Sequence, residues 1–215
     1  MFGIRRILRF NASHRFGEGG TALQFSARTV MANDVLRERK VTAIALKSNA
    51  FCEVPMNPSD GKREMLRHTL ATVAYRGGKS LRGAPPGFAE YRVREGTRCP
   101  LEILAHICDL MDWALSIAQG QQKWQDTTAA LWDGQVERFF TAMKALDDLL
   151  ASDAPLQAEA EKLFQGPIAD ALTHIGQLCM LRRLAGSPVR GENYFVADVQ
   201  AGRVGPVQNS PKREF

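Results

Sequence analysis

The sequence predicts an all-α protein built as a four-helix bundle, with a poorly ordered N-terminal extension and an irregular C-terminal tail. From Ser59 onward, apolar residues recur at spacings of three and four, the period of an amphipathic helix, and no strand-like alternation of useful length occurs there. Hydrophobic residues make up 45% of the 215 residues and charged residues 24%, as is ordinary for a globular protein with a core. No apolar run approaches the roughly 18 residues of a membrane-spanning helix.

Residues 1–58 differ from the rest, and we expect them to form an extension that is either disordered or translated from a start codon upstream of the natural one. Arginine-rich patches alternate there with glycines, and the short apolar stretches follow neither period. Residues 1–55 hold nine Lys or Arg and four Asp or Glu, so the whole net charge of +5 belongs to this segment. Because the body of the chain is neutral, we expect no nucleic-acid partner.

The first two helices are predicted from their capping and stop residues. Ser59 or Asp60 can cap the first helix, which we expect to end near Gly77–Gly78 because glycine commonly terminates helices. A long connection over residues 82–99 follows. Pro100 suits the first turn of the second helix, which should run to about Gln119 and is apolar on nearly every side.

The last two helices complete the predicted bundle. The third should span roughly Thr127–Ser152, and the fourth should begin at Pro167 and run to about Leu184. The bundle domain is thus assigned to residues 59–205. Residues 206–215, at the end of a stretch rich in Gly and Pro, are expected to fray.

Three side chains are spaced so that they could form a functional site. His106 is in line with apolar residues of the second helix, and His174 with apolar residues of the fourth, so both should point inward. Asp170 lies four residues before His174, and this spacing places both side chains on one helix face with Cβ atoms about 5–6 Å apart. If the two helices face each other, the two imidazoles and the carboxylate can converge on one ion.

A metal ion would explain an aspartate in such a position. An ionised carboxylate inside a bundle loses several kcal/mol of hydration unless a cation or hydrogen-bond donors replace the water. Two neutral imidazoles and one carboxylate suit Zn²⁺, Ni²⁺, Mn²⁺ or Fe²⁺, and three protein ligands leave positions for water or substrate. The spacing alone also fits a hydrogen-bonded Asp–His pair without metal, and inward histidines are more often core residues than ligands, so this evidence by itself favours the metal-free interpretation.

Short motifs on the second and fourth predicted helices resemble those of a known family. The second helix carries Leu-Ala-His-Ile at residues 104–107 and the fourth carries His-Ile-Gly-Gln at residues 174–177, followed by Leu-Ala-Gly-Ser-Pro at residues 184–188. In their order and placement these motifs resemble the DinB-like (damage-inducible) metalloenzymes over about residues 60–205. The resemblance implies a four-helix bundle that binds a divalent metal.

The family's usual pattern implies a ligand set with one departure. The second helix of the family supplies one histidine, and the fourth supplies H-x-x-x-H followed by a Gly-Gln pair. His106 and His174 match the first and last of these ligands, whereas Asp170 stands at the middle position. An aspartate can coordinate a metal, but it makes the site more anionic and changes which metal the site prefers.

The resemblance also implies a chemistry. The family includes thiol-dependent S-transferases and a mycothiol-dependent maleylpyruvate isomerase, so the metal would bind a low-molecular-weight thiol as its thiolate, which then attacks an electrophile. Asp109 and Glu102 are candidates for orienting the imidazole of the second helix. Arg92, Arg94 and Arg98 fit a solvated loop and are assigned no role in the site.

We therefore predict a metal-dependent enzyme, a thiol-dependent transferase that acts on a small-molecule substrate. A metal-dependent hydrolase or oxygenase on the same site is one alternative, and a metal-free helical binding or dimerisation protein is another. The four cysteines (Cys52, Cys99, Cys108 and Cys179) show no metal-binding spacing, which favours free thiols and a cytoplasmic location. No membrane partner is expected, and a homodimer is a further prediction.

Overall fold

The computed structural model describes residues 58–128 and 131–215. The predicted extension, residues 1–58, lies outside the described residues except for Pro58, where the first helix begins. The helical elements are α1 (Pro58–Leu81), α2 (Pro100–Ala118), α3 (Trp132–Ala151), α4 (Ala160–Leu163), a π turn (Phe164–Ile168), α5 (Ala169–Leu184) and a short 3-10 turn (Tyr194–Val196). Within the described ranges there is no strand, only an isolated bridge between Glu192 and Glu214, so the all-α prediction is confirmed.

The four long helices pack around one apolar core. Helix α1 contacts α3 and α5, and α2 contacts the same two helices, so each helix has two neighbours in the bundle. Burying a large apolar side chain completely stabilises the fold by about 1.5–3 kcal/mol. The fully buried side chains at the centre come from all four helices and include Leu70, Leu104, Met111, Met143, Leu146 and Leu178.

Helix α1 continues past the glycine pair at which the sequence predicts its end. Gly77 and Gly78 lie inside the helix, which runs on to Leu81. A Cβ atom at Gly77 would lie 2.5 Å from Cζ of Phe139 on α3. The glycine therefore serves close packing between α1 and α3, and periodicity within one helix carries no information about that neighbour.

Helix α2 begins and ends close to the predicted positions. The Cys99 backbone N–H donates to Glu102 Oε2 at 2.8 Å, and Pro100 occupies the first turn. After Ala118 the chain turns at Gly120, whose φ of 78° lies in the left-handed region that favours glycine. The connection over residues 82–99 contains no helix or strand, as predicted.

Helix α3 begins five residues later than predicted, at Trp132 in place of Thr127. The backbone N–H of Thr127 donates to Asp109 Oδ2 at 3.0 Å, so this residue is held against α2 and does not start the helix. The polar segment over residues 120–128 therefore has no regular secondary structure, and the Thr127 contact holds it against α2.

The last helical segment begins earlier than predicted. Helix α4 starts at Ala160, and the π turn that contains Pro167 joins it directly to α5. Proline has no N–H and its ring clashes with the carbonyl four residues earlier in an α-helix. The wider π turn accommodates that ring, so Pro167 lies within a continuous helical segment and does not begin one.

The C-terminal residues are held against the bundle, contrary to the expected fraying of residues 206–215. The Phe215 N–H donates to the carbonyl of Gly191 at 3.0 Å, and Glu214 accepts from the Lys79 ammonium at 2.7 Å. Lys79 also pairs at 2.7 Å with Glu192, whose side chain is completely buried. These contacts link residues that are far apart in sequence. Local composition carries no information about them, which is why it predicts a frayed C-terminus.

None of the described helices combines the length and the apolar character needed to cross a membrane.

Candidate metal centre

Two adjacent helices bring the three predicted ligands together. His106 lies in the second turn of α2, and Asp170 and His174 lie one turn apart at the start of α5. Helices α2 and α5 pack against each other, and the four-residue spacing places Asp170 and His174 on one face of α5. The predicted convergence of these side chains is therefore present in the fold.

The distances between the ligand atoms are short. Nε2 of His106 lies 3.7 Å from Oδ2 of Asp170, and Nε2 of His174 lies 3.5 Å from Oδ1 of the same carboxylate. The two imidazole rings meet edge to face, with centroids 4.7 Å apart and planes at 90°. One ligand atom from each residue lies within 4.8 Å of the others. Donors bound to one ion at about 2.1 Å are separated by roughly 3–3.5 Å, so a small closure would suffice.

The site lies at the edge of the bundle and not in its interior. The His106 and His174 side chains are 20% and 12% exposed, as their apolar alignment predicts, but the Asp170 side chain is 47% exposed. The prediction that Asp170 is buried and needs a cation to offset its lost hydration is therefore wrong, because water reaches this carboxylate. The same exposure leaves the ligand cluster open to a small molecule.

The environment of His106 favours its neutral form. Burial lowers the pKa of the His106 imidazole, and the nearby His174 and Arg98 lower this pKa further, while Asp170 and Asp109 raise it. A histidine binds a metal through the lone pair of a neutral ring. The protein thus keeps His106 in the state that a metal ligand requires.

A hydrogen bond orients the second histidine. Nδ1 of His174 lies 3.0 Å from Oε1 of Gln177, one turn later on α5. Because an amide oxygen only accepts, Nδ1 carries the proton and Nε2 presents its lone pair toward Asp170. Gln177 belongs to the His-Ile-Gly-Gln motif, but its contact with the ring follows only from the i, i+3 geometry, which the sequence argument did not use.

Trp124 packs beside His106. Its ring lies 5.7 Å from the His106 ring and 5.6 Å from the Trp113 ring, measured between centroids. Its indole N–H donates to Asp126 Oδ1 at 3.1 Å, which fixes the ring plane. Trp124 comes from the irregular segment between α2 and α3, where no periodic pattern identifies it from the sequence.

A cleft of about 620 Å³ adjoins the ligand cluster, and His106 forms part of its wall. The cleft lies between the connection over residues 90–99, the first turns of α2 and the segment over residues 126–128. This volume is in the range of small-molecule binding sites. Asp170 and His174 do not line this cleft, so His106 is the ligand residue that connects the cleft with the cluster.

The two carboxylates predicted to orient His106 have other partners. Asp109 accepts from Arg138 Nη2 at 2.6 Å and from the Thr127 N–H, and Glu102 binds Arg92 at 2.6 and 3.0 Å. Glu102 also caps α2, so both groups stabilise the chain around the cleft. His68, assigned to the surface from the sequence, is exposed on α1.

None of the protein-family models, characterised proteins or solved structures compared with this chain matches it. The similarity to the DinB-like family therefore stays a prediction that depends on the short motifs of α2 and α5.

Proposed function

We propose that the protein is a metal-dependent enzyme whose divalent ion is held by His106, Asp170 and His174. The observation that carries this proposal is the convergence of three ligand atoms within 4.8 Å of one another, with one of the three residues, His106, in the wall of a cleft. Two imidazoles and one carboxylate suit Zn²⁺, Ni²⁺, Mn²⁺ or Fe²⁺, and a set of three leaves positions for substrate.

Several features of the chain support this proposal beyond the ligand set. Gln177 fixes the proton on the far nitrogen of His174, which is the usual arrangement behind a metal-bound histidine. Burial of His106 favours its neutral ring. Trp124 lies against one side of His106, with ring centroids 5.7 Å apart, whereas Asp170 remains accessible.

The reaction we propose is transfer of a small thiol to an electrophilic substrate. The bound ion would supply the lowered thiol pKa that this reaction needs, since metal coordination favours the thiolate. The chain's own residues hold the ion and shape a cleft of about 620 Å³ for a small molecule. A cytoplasmic location and a homodimer belong to the same proposal.

Metal content of the protein purified without an affinity tag tests the proposal. We expect close to one equivalent of a divalent metal, and we expect Asp170→Ala to lower this occupancy about tenfold or more, because one of three ligands is removed. Asp170→His should retain the metal, because it supplies a neutral nitrogen ligand at the same position. His68→Ala, which removes an exposed histidine of α1, is the matched control.

Two outcomes of that experiment would contradict the proposal. Metal-free protein after expression with added metals would favour a helical binding protein in which Asp170, half-exposed and 3.5–3.7 Å from both histidines, forms a solvated ion-pair cluster. Full occupancy in Asp170→Ala would mean that the ligand set is different.

A kinetic comparison distinguishes the thiol-dependent reaction from hydrolysis or oxygenation at the same site. We expect metal-loaded protein to accelerate thiol consumption in the presence of an electrophile above the rate with an equal amount of free metal. Turnover without added thiol would instead support a hydrolase or, if oxygen is consumed, an oxygenase.

A further inference from the structure

We propose that Asp170 binds the metal through both of its carboxylate oxygens, so that the centre takes a six-coordinate ion of the Mn²⁺ or Fe²⁺ type in preference to four-coordinate Zn²⁺. This inference rests on the proposed function and deepens it, because it selects among the ions that the ligand set allows and fixes how many positions remain for ligands. The evidence is the way in which the carboxylate faces the two histidines.

The two carboxylate oxygens of Asp170 face different imidazoles. Oδ2 lies 3.7 Å from Nε2 of His106, whereas Oδ1 lies 3.5 Å from Nε2 of His174. Both separations exceed the range of about 2.7–3.2 Å that is usual for an N–H···O hydrogen bond. They are close to the roughly 3–3.5 Å that separates two ligand atoms on one ion. Each oxygen is therefore placed as a ligand atom beside one of the histidines.

On the α5 side of the cluster, a ring nitrogen and a carboxylate oxygen meet as two acceptors. Nδ1 of His174 carries the proton that binds Gln177 at 3.0 Å, so Nε2 directs its lone pair toward Oδ1 of Asp170. Two acceptors repel each other unless a cation lies between them. A cation there would contact Oδ1, and to reach Nε2 of His106 it must also approach Oδ2.

Both oxygens of Asp170 are free of other polar contacts within the described part of the chain, where the two histidines are its partners. A carboxylate that binds a metal is usually held by a hydrogen-bond donor as well, and a carboxylate that uses one oxygen for the metal can offer the other to that donor. The protein supplies no such donor among the described residues, which leaves both oxygens for the ion. Water, which reaches this half-exposed side chain, is the competing partner that a test must distinguish.

Two oxygens and two nitrogens determine which kind of ion fits. Four protein donors would fill the four positions that Zn²⁺ ordinarily offers and would leave none for a substrate. Mn²⁺ suits octahedral sites with oxygen ligands, and Fe²⁺ is typical of two histidines and one carboxylate with open positions. On a six-coordinate ion two positions remain, which allows the thiol and the electrophile of the proposed reaction to be ligands together.

The number of water molecules bound to Mn²⁺ in the loaded protein tests the inference directly. Water labelled with ¹⁷O broadens the electron paramagnetic resonance signal of Mn²⁺ according to the number of waters bound to the ion. We expect two waters beside two imidazoles and a carboxylate that binds through both oxygens, because Mn²⁺ is octahedral. A count of three would mean that Asp170 uses one oxygen, and it overturns the inference.

The preference between two metals provides a second test. The Kd values for Mn²⁺ and Zn²⁺ are measured by competition with a chelator in wild type and in Asp170→His. This variant exchanges two oxygen ligands for one nitrogen, so we expect the ratio of the Mn²⁺ Kd to the Zn²⁺ Kd to rise about tenfold or more. Because partial loss of folded protein affects both ions equally, the ratio reports on the ligand set.

The control for the ratio is His68→Ala, which removes an exposed histidine of α1 outside the cluster. We expect it to keep the wild-type ratio. A ratio that is the same in Asp170→His and in His68→Ala contradicts the inference, since the oxygens of Asp170 would then contribute nothing to the choice of metal.

These measurements separate failure of this inference from failure of the proposed function. If neither Mn²⁺ nor Zn²⁺ binds the protein, the proposed function fails and the inference fails with it. If both ions bind, but three waters are counted or the ratio does not change in Asp170→His, the ligand set stands and only the binding of Asp170 through both oxygens is wrong.

Discussion

The hydrogen bond between His174 and Gln177 determines which imidazole nitrogen faces Asp170. Nδ1 is occupied by the amide oxygen at 3.0 Å, so Nε2 is available to an ion. His106 has no matching partner on α2, because Asp109 and Glu102 bind arginines. The two histidines are therefore prepared for a metal in different ways. The Gln177 amide sets the tautomer of His174, whereas burial beside Trp124 favours the neutral ring of His106.

Replacing Gln177 should weaken metal binding without unfolding the protein. Gln177→Leu removes the acceptor, so the His174 ring can adopt the tautomer and orientation that turn its lone pair away. We expect the Kd for the metal to rise about tenfold, measured by competition with a chelator. Met180→Ala, an exposed change on the same helix, is the control. Equal affinities of the two variants would exclude Gln177 as a positioning residue.

Among the helices, packing between α1 and α3 depends on a glycine. Gly77 admits the Phe139 ring, with its Cζ only 2.5 Å from where a Cβ would lie. Gly61, on the same helix, has nothing within 4 Å of that position. The two glycines thus differ in packing while sharing the helical backbone.

Alanine substitutions should consequently have opposite effects at these glycines. Gly77→Ala should lower the free energy of unfolding by about 2 kcal/mol because the added methyl overpacks the contact with Phe139. Gly61→Ala should raise it by about 0.5–1 kcal/mol because alanine favours the helix. Urea denaturation measures both values. An unchanged free energy of unfolding in Gly77→Ala would show that α1 and α3 can move apart enough to accept the added methyl group.

The first turn of α2 has a pH-dependent cap. Its carboxylate, Glu102, is bound to Arg92 and to the Cys99 N–H, and these contacts hold the pKa of Glu102 at about 2. Because this pKa is lower in the folded protein than the ordinary value of 4.5, the stabilisation is present above pH 4.5 and disappears as the pH falls to about 2.

Glu102→Gln should reveal this dependence. At pH 7 we expect the variant to be less stable by roughly 1 kcal/mol, a modest value because the side chain is half-exposed and solvent screens its ion pair. The difference between wild type and variant should shrink toward zero between about pH 4.5 and pH 2. Thermal or urea unfolding at a series of pH values measures it, and a constant difference would contradict the assignment.

For the molecule as a whole, the C-terminal residues are joined to α1 through a buried network. Tyr75 donates its hydroxyl to Glu192 at 2.7 Å, and Lys79 bridges Glu192 and Glu214. Burial and the neighbouring Glu192 raise the pKa of Tyr75, which keeps the donor protonated. The network connects the two ends of the described chain.

Removing the ammonium of Lys79 should destabilise the fold strongly. Lys79→Met leaves the buried Glu192 carboxylate with Tyr75 alone, and we expect a loss of about 3 kcal/mol in the free energy of unfolding. Lys144→Met, which breaks an exposed pair with Asp148 on α3, should change it by less than about 0.5 kcal/mol. Urea denaturation compares them, and losses of equal size would show that the buried network contributes nothing special.

Local periodicity predicted the helices well because each apolar face is a property of one segment. It also paired Asp170 with His174, since four-residue spacing alone places them together. It misplaced the end of α1 at Gly77, where the Phe139 ring of α3 explains the glycine. It also misplaced a helix start at Pro167, where a π turn accommodates the proline. The contact of Trp124 with His106 was not predictable, because it depends on the path of an irregular segment past α2.

The π turn before α5 has a consequence for the ligands that follow it. Each residue advances an α-helix by about 100°, so loss of one residue between Phe164 and Ile168 would swing Asp170 and His174 around the axis of α5 and away from His106. Both ligands would still be present in the chain, but their side chains would no longer face His106 on α2. The direction in which Asp170 and His174 point is therefore set by a short upstream segment that contributes no ligand of its own.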